Sequence, residues 1–113
     1  MPTILNQAIR NGDIETVKQT VNQSNLQRAF KLSSKSGDIP IIKFLIENKA
    51  DVQTDDNYAI KKASKIGDYL VAKFLIESRA DVSSGNNYAV KQARKKGYFF
   101  LVKLLIENKA ELI

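Results

Sequence analysis

The chain has 113 residues, of which 43% are hydrophobic and 27% are charged, a balance that is typical of a folded protein and argues against disorder. It has no histidine and no cysteine, so the commonest general base, the commonest metal ligand, thiol nucleophiles and disulfide bonds are all excluded. Lysine and arginine outnumber aspartate and glutamate by 18 to 12, and no apolar run approaches the ~20 residues that a membrane-spanning helix needs.

The first segment, residues 1–24, has the pattern of two short helices separated by Gly12 and Asp13. Its second helix is mostly polar and keeps only a narrow apolar stripe, formed by Ile14, Val17 and Val21. A polar outer surface is what the terminal unit of a stacked array requires. The segment is therefore predicted to be an N-terminal capping repeat.

Three longer segments follow, and they copy one another at a period of thirty residues. They are predicted to be repeats over residues 25–56, 57–86 and 87–113. Aligned over 26 positions, the middle one is identical to the segment before it at 14 positions and to the segment after it at 12. Self-similarity at such a period indicates a stacked array of small helical or strand units. The sequence thus predicts one repeat domain over residues 1–113.

Residues 57–86 show how one repeat is built. Asn57 is placed to cap a first helix, Gly67 to end it, and Asp68 to cap a second helix. The second helix carries a wide apolar stripe, and a polar loop then leads to the next repeat. Because no single repeat can bury such a stripe, neighbouring repeats must stack. We therefore predict an all-α solenoid of stacked helix-turn-helix repeats.

The last repeat differs at its second helix, which is almost continuously apolar and is followed by Leu112 and Ile113 at the end of the sequence. Tyr98 replaces the capping aspartate, which should cost about 1 kcal/mol of local stability. Phe100 falls at a position that we expect to be partly exposed. A large apolar terminal face predicts a contact with another copy, with a partner or with a following segment. The candidate self-association residues, through which a homodimer could form, are Tyr98, Phe100, Leu112 and Ile113.

The third repeat resembles an ankyrin repeat. Residues 58–63, YAIKKA, stand where that family has T-P-L-H-x-A, and residues 79–82, RADV, stand where it has G-A-D. The period of thirty is shorter than the usual 33, and the loss falls in the loop before Tyr58, where the family has a projecting β-turn finger. Short-fingered arrays of this kind are similar to those that giant DNA viruses of amoebae encode.

The resemblance implies an ankyrin-type α-solenoid with shortened fingers that serves as a non-catalytic protein-binding scaffold. No nucleotide-binding, zinc-protease or nucleophile-elbow motif occurs, and Asp51, Asp55 and Asp56 lack the ligand spacing of an EF-hand calcium site. No catalytic residue, cofactor, metal site or membrane contact is therefore predicted. The lack of cysteine and of a secretory signal favours a cytoplasmic location, which for a viral protein would be the host cytoplasm.

The one functional pattern in the sequence is basic. The first helices of the three full repeats hold ten of the eighteen basic residues and no acidic residue. On a helical wheel these residues lie opposite the apolar face, and stacking would align their lysines in columns. In ankyrin-like stacks the first helices line the concave surface. The candidate partner-binding residues are Arg28, Lys31, Lys35, Tyr58, Lys61, Lys62, Lys65, Tyr88, Lys91, Arg94 and Lys95.

Three interpretations of this basic surface stay open. In the structural interpretation, Lys35, Lys65 and Lys95 stand in the last turns of their helices, where the helix dipole favours cations, and the lysines keep an exposed face soluble. In the second interpretation, a column of positively charged side chains binds an acidic protein or peptide, which is the kind of partner that a protein-binding scaffold suggests. Nucleic acid is the alternative partner, because lysines can meet phosphates while Tyr58 and Tyr88 stack on bases with little sequence preference.

Overall fold

The computed structural model describes residues 3–110, and within this range it contains eight helices and no strand. This confirms the predicted all-α fold class. In chain order the helices are α1 (Ile4–Asn11), α2 (Ile14–Thr20), α3 (Leu26–Ser36), α4 (Ile39–Glu47), α5 (Thr54–Ile66), α6 (Tyr69–Glu77), α7 (Ser84–Lys95) and α8 (Phe99–Glu107).

The chain divides into two compact units, of which the N-terminal unit ends at Asp51 and the C-terminal unit begins at Val52. In the N-terminal unit α1 packs against α2, α3 packs against α4, and α1 also packs against α3. In the C-terminal unit α5 packs against α6, α7 packs against α8, and α5 also packs along α7. Each unit therefore holds two helix-turn-helix repeats side by side, with first helix against first helix.

The core of each unit is formed by the apolar stripes that the sequence predicts. Side chains spaced three or four residues apart on one helix face the neighbouring helices, because that spacing places them on one side of an α-helix. The largest fully buried side chains are Ile9, Val17, Phe30, Ile41, Ile42 and Leu45 in the N-terminal unit, and Ile60, Val71, Leu75, Val90 and Leu105 in the C-terminal unit.

An aspartate caps the second helix of each of the first three repeats. The carboxylates of Asp13, Asp38 and Asp68 each accept a hydrogen bond from the backbone N–H three residues later, at 3.2 Å. In the fourth repeat Tyr98 occupies the cap position of α8 and its side chain makes no capping hydrogen bond. The predicted loss of this cap is thus confirmed.

A left-handed turn stands where the sequence comparison placed the shortened finger. Asp55, Asp56 and Asn57 have φ values of 54°, 56° and 60° inside the bounds of α5, so its right-handed part covers residues 58–66. The same turn recurs inside α7 at residues 85–87. Asparagine, aspartate and glycine are the residues that adopt this conformation most readily, and they fill both turns.

The expectation that Asn57 caps its own helix is wrong. Its side-chain oxygen instead accepts a hydrogen bond from the backbone N–H of Asp81, at 2.8 Å, in the loop that follows the second helix of the same repeat. In the N-terminal unit Gln27 accepts from the N–H of Asp51 in the same way, at 3.0 Å. An amide side chain at the start of the repeat therefore closes it onto its own final loop.

Candidate partner-binding surface of the C-terminal unit

Helices α5 and α7 lie side by side, and each turns one face to the core. Ala59, Ile60 and Ala63 of α5 are fully buried, as are the equivalent residues of α7. The predicted partner-binding residues of these two helices are half-buried or exposed, so the helical-wheel assignment of the two faces is correct here. They are Tyr58, Lys61, Lys62, Lys65, Tyr88, Lys91, Arg94 and Lys95.

A cleft of about 230 Å³ opens between the basic faces of these helices. Lysine side chains and two tyrosine rings form most of its wall, with a single carboxylate at one end. The residues that line it are Asp55, Tyr58, Lys61, Lys62, Lys65 and Tyr88. The structure thus brings the two predicted tyrosines into one cleft with three of the predicted lysines.

Lys61 differs from the other lysines because it is held inside the unit. Its ammonium forms an ion pair with Asp56 at 3.0 Å, and its side chain is only 20% exposed. The Ser84 hydroxyl donates to the same Asp56 carboxylate at 2.8 Å, and the Tyr88 ring centroid lies 6.0 Å from the ammonium. The sequence gives no sign of this carboxylate partner, because Asp56 falls in a polar loop before the right-handed part of α5. Lys61 therefore joins the left-handed turn of α5 to the start of α7.

The hydrogen bond from Lys61, together with that from Ser84, holds the pKa of the Asp56 carboxyl below its ordinary value. Because the folded-state pKa is the lower one, the ion pair stabilises the fold fully above the ordinary pKa and is lost as the pH falls through the folded-state pKa.

We expect the substitution Lys61→Met to raise the pKa of Asp56 towards its ordinary value, because methionine keeps the apolar stem and removes the ammonium. A carboxyl-carbon NMR titration measures this shift. The matched control is Lys91→Met, since the residue that corresponds to Asp56 in that repeat is Asn86, and it should leave the titration unchanged. An ordinary pKa for Asp56 in the unmodified protein would contradict the ion pair.

The remaining cations of α5 and α7 are not neutralised in this way. None of them forms an ion pair with any carboxylate in the described range, residues 3–110. We call these five residues the basic surface, and they are Lys62, Lys65, Lys91, Arg94 and Lys95.

A second surface of the C-terminal unit is apolar. Four large side chains at the first two positions of α6 and α8 are exposed, most of all Phe99 at 79% and Phe100 at 83%. We call these four residues, Tyr69, Leu70, Phe99 and Phe100, the apolar edge. Three of them, with Gly67, Gly97, Tyr98 and Leu101, line a cleft of about 650 Å³.

The candidate self-association residues have different positions in the structure. Phe100 belongs to the apolar edge, whereas Tyr98 is half-buried and its ring packs over Gly67. Leu112 and Ile113 lie outside the described residues. Two exposed side chains of α6, Tyr69 and Leu70, extend the edge from one repeat to the next. Neither was among the predicted self-association residues.

Comparison with known families decides what kind of repeat this is. A model of three ankyrin repeats matches residues 5–86, which is most of the chain. The chain belongs to the ankyrin-repeat family. A search of the curated proteins returned no match. Ankyrin repeats are in general protein-interaction scaffolds, and the family is typically non-catalytic.

A further helix pair follows the matched segment. Its sequence copies the third repeat, and α7 and α8 form the same helix pair as α5 and α6. The basic surface and the apolar edge both include residues of this helix pair, so both extend past residue 86.

The predicted basic residues of the N-terminal unit lie on α3. Arg28 and Lys35 are exposed and Lys31 is half-buried, as the helical wheel requires. The alignment of Lys31 and Lys35 in columns with the equivalent lysines of the C-terminal unit stays a prediction.

The described residues hold neither a metal cluster nor a membrane span. Between residues 3 and 110 no three acidic side chains stand close enough together to hold a metal ion. In the same part of the chain no helix is long and apolar enough to cross a bilayer.

Proposed function

We propose that this ankyrin-repeat protein is a non-catalytic scaffold that binds an acidic segment of another protein through the basic surface of α5 and α7. One observation carries the proposal: five cations on two adjacent helices have no carboxylate partner in the part of the chain that the structure describes. Like charges held side by side repel one another, and an acidic partner would relieve that repulsion.

The purely structural interpretation of these cations is weaker for the C-terminal unit. Helix dipoles favour cations only within the last turn, and this accounts for Lys65, Arg94 and Lys95 but not for Lys62 and Lys91. Lys61, which is held inside the unit, has a carboxylate partner in Asp56, unlike the five residues of the basic surface.

Nucleic acid is the second candidate partner, and the position of Tyr58 and Tyr88 at the cleft favours it. Base stacking on aromatic rings and phosphate contacts to lysine are the usual means of binding single strands. Tyr88, however, already lies beside the Lys61 ammonium, and the cleft offers no arginine or amide fork of the kind that reads base edges. These features favour the acidic protein segment.

Fluorescence anisotropy separates the two partners. The first probe is an acidic peptide, a labelled run of about six glutamates followed by Gly-Ser, and the second is a labelled random-sequence DNA single strand of similar length. We expect the acidic peptide to bind, and a glutamine version of the same peptide not to bind. An oligonucleotide that binds more tightly than the peptide at every salt concentration would assign the surface to nucleic acid. Binding of neither probe at low salt would contradict both partners.

A further inference from the structure

The apolar edge of the C-terminal unit is not part of the core. Phe99, Phe100 and Leu70 are 79%, 83% and 66% exposed. The corresponding second positions in the helices of the N-terminal unit hold Glu15 and Pro40, so a repeat of this type does not need a large apolar side chain there. Adjacent exposed rings of this size mark contact sites on folded proteins.

The cleft beside the apolar edge is large enough to hold a side chain of a bound partner. Its volume of about 650 Å³ lies within the range of ligand pockets, about 300–1,000 Å³. Two of its lining residues are glycines, and an added side-chain carbon at Gly97 would meet no atom within 4 Å. The Tyr98 ring lies against Gly67. The cleft is therefore an open space with aromatic walls.

The basic surface leads directly to this cleft along the chain. Lys65 stands two residues before Gly67, at the end of α5, and Lys95 stands two residues before Gly97, at the end of α7. Lys96, which is also exposed, stands between Lys95 and Gly97 in the sequence. Exposed lysines thus stand within two residues of both glycines that line the apolar cleft, and an acidic segment is complementary to them in charge.

We infer that the apolar cleft holds a bulky hydrophobic side chain of the same acidic segment that the basic surface binds, an inference that rests on the proposed function. The partner segment then has acidic residues followed by an aromatic or large aliphatic anchor. The right-handed part of α5, residues 58–66, is about 13 Å long, which an extended peptide covers with about four residues. The acidic stretch therefore covers α5 with about four residues, and the anchor follows directly after it.

A second copy of this chain fits the cleft less well. A symmetric contact between two apolar edges would bring closer the exposed lysines that precede Gly67 and Gly97 in each copy, in a protein whose net charge is already +6. An acidic segment meets the same apolar surface without that repulsion.

The test uses the acidic peptide described above and an anchored peptide in which Trp-Leu replaces its final Gly-Ser. We expect the intact chain to bind the anchored peptide about tenfold more tightly, because burial of an aromatic side chain adds at least that much affinity. The substitution Phe100→Ser should remove the difference and leave the affinity for the acidic peptide unchanged. The matched control is Ile4→Ser, since Ile4 is 69% exposed in the other unit and should leave the difference intact. Far-ultraviolet circular dichroism checks that both variants are folded.

Several results would overturn the inference. Equal binding of the two peptides to the intact chain would show that no anchor is used, while the proposed function would stand. Equal binding of the anchored peptide and its glutamine version would instead overturn the proposed function. A dimer in sedimentation that Phe100→Ser converts to a monomer would assign the cleft to a second copy. Binding to phosphatidylserine vesicles that the same substitution abolishes would assign it to a lipid surface.

Discussion

Replacing Gly67 by alanine is expected to destabilise the C-terminal unit by about 2–5 kcal/mol, for two separate reasons. Gly67 has a φ of +88°, a left-handed conformation that costs a residue with a side chain about 1–2 kcal/mol. The added carbon would also lie 2.7 Å from the Tyr98 ring, and relieving such an overlap typically costs about 1–3 kcal/mol. Urea unfolding followed by circular dichroism measures the loss.

The fourth repeat supplies the control for this prediction. Gly97 has the same left-handed conformation, with a φ of +78°, but no atom lies within 4 Å of the position of an added carbon. Gly97→Ala should therefore cost only the backbone contribution, about 1–2 kcal/mol. In a Tyr98→Ser background the two substitutions should become equally costly, because the ring is gone. Equal costs with Tyr98 still present would contradict the packing of its ring on Gly67.

The sequence predicts the helices and their faces well, because both follow from local patterns. The period of thirty residues, the glycine after each first helix and the aspartate before three of the four second helices suffice to place in order the eight helices of residues 3–110. The burial of Ile60 and Ala63 on one face of α5, with Lys62 and Lys65 away from it, follows from helical spacing alone.

The connections were not predictable in the same way, because they depend on side-chain contacts that the helical period does not encode. From its composition, the polar loop before Tyr58 is expected to be a solvated linker. In the structure it forms a left-handed turn that places the Asp56 carboxylate beside the Lys61 ammonium. One signal for this turn was present: positions 55–57 and 85–87 contain only aspartate, asparagine and glycine. The partner of Asn57, the backbone of Asp81, lies 24 residues away, and no short-range pattern reveals it.

The structure also changes which basic residues are the best targets for substitution. Lys61 is tied to Asp56, so changing it would disturb the fold as well as any partner contact. Lys65 and Lys95 are exposed, and neither has a carboxylate partner among residues 3–110. They stand at equivalent positions in adjacent repeats, so a change at both alters the surface without touching that ion pair.

Reversing the charge of both residues, Lys65→Glu with Lys95→Glu, should weaken binding of the acidic peptide strongly. Each reversal removes up to about 1 kcal/mol of attraction and adds repulsion of similar size. A total of about 2–4 kcal/mol corresponds to a loss of roughly 30- to 1,000-fold in affinity. The effect should shrink as salt rises, because exposed charges are screened.

The matched control reverses two lysines on the second helices, Lys73→Glu with Lys103→Glu. Both are exposed and equivalent to each other in adjacent repeats, so the net charge of the protein changes by the same amount. Unfolding curves of both double variants check that any loss of binding is not a loss of fold, since glutamate in the last turn of a helix costs about 0.3–1 kcal/mol.

The affinity of these two double variants for the acidic peptide, measured side by side by anisotropy, tests the central claim most directly. If α5 and α7 form the binding surface, the variant at Lys65 and Lys95 loses at least about 30-fold in affinity, while the variant at Lys73 and Lys103 loses only the small amount due to net charge. Equal losses in the two variants would mean that the peptide responds to the overall charge of the protein and that this surface is no binding site.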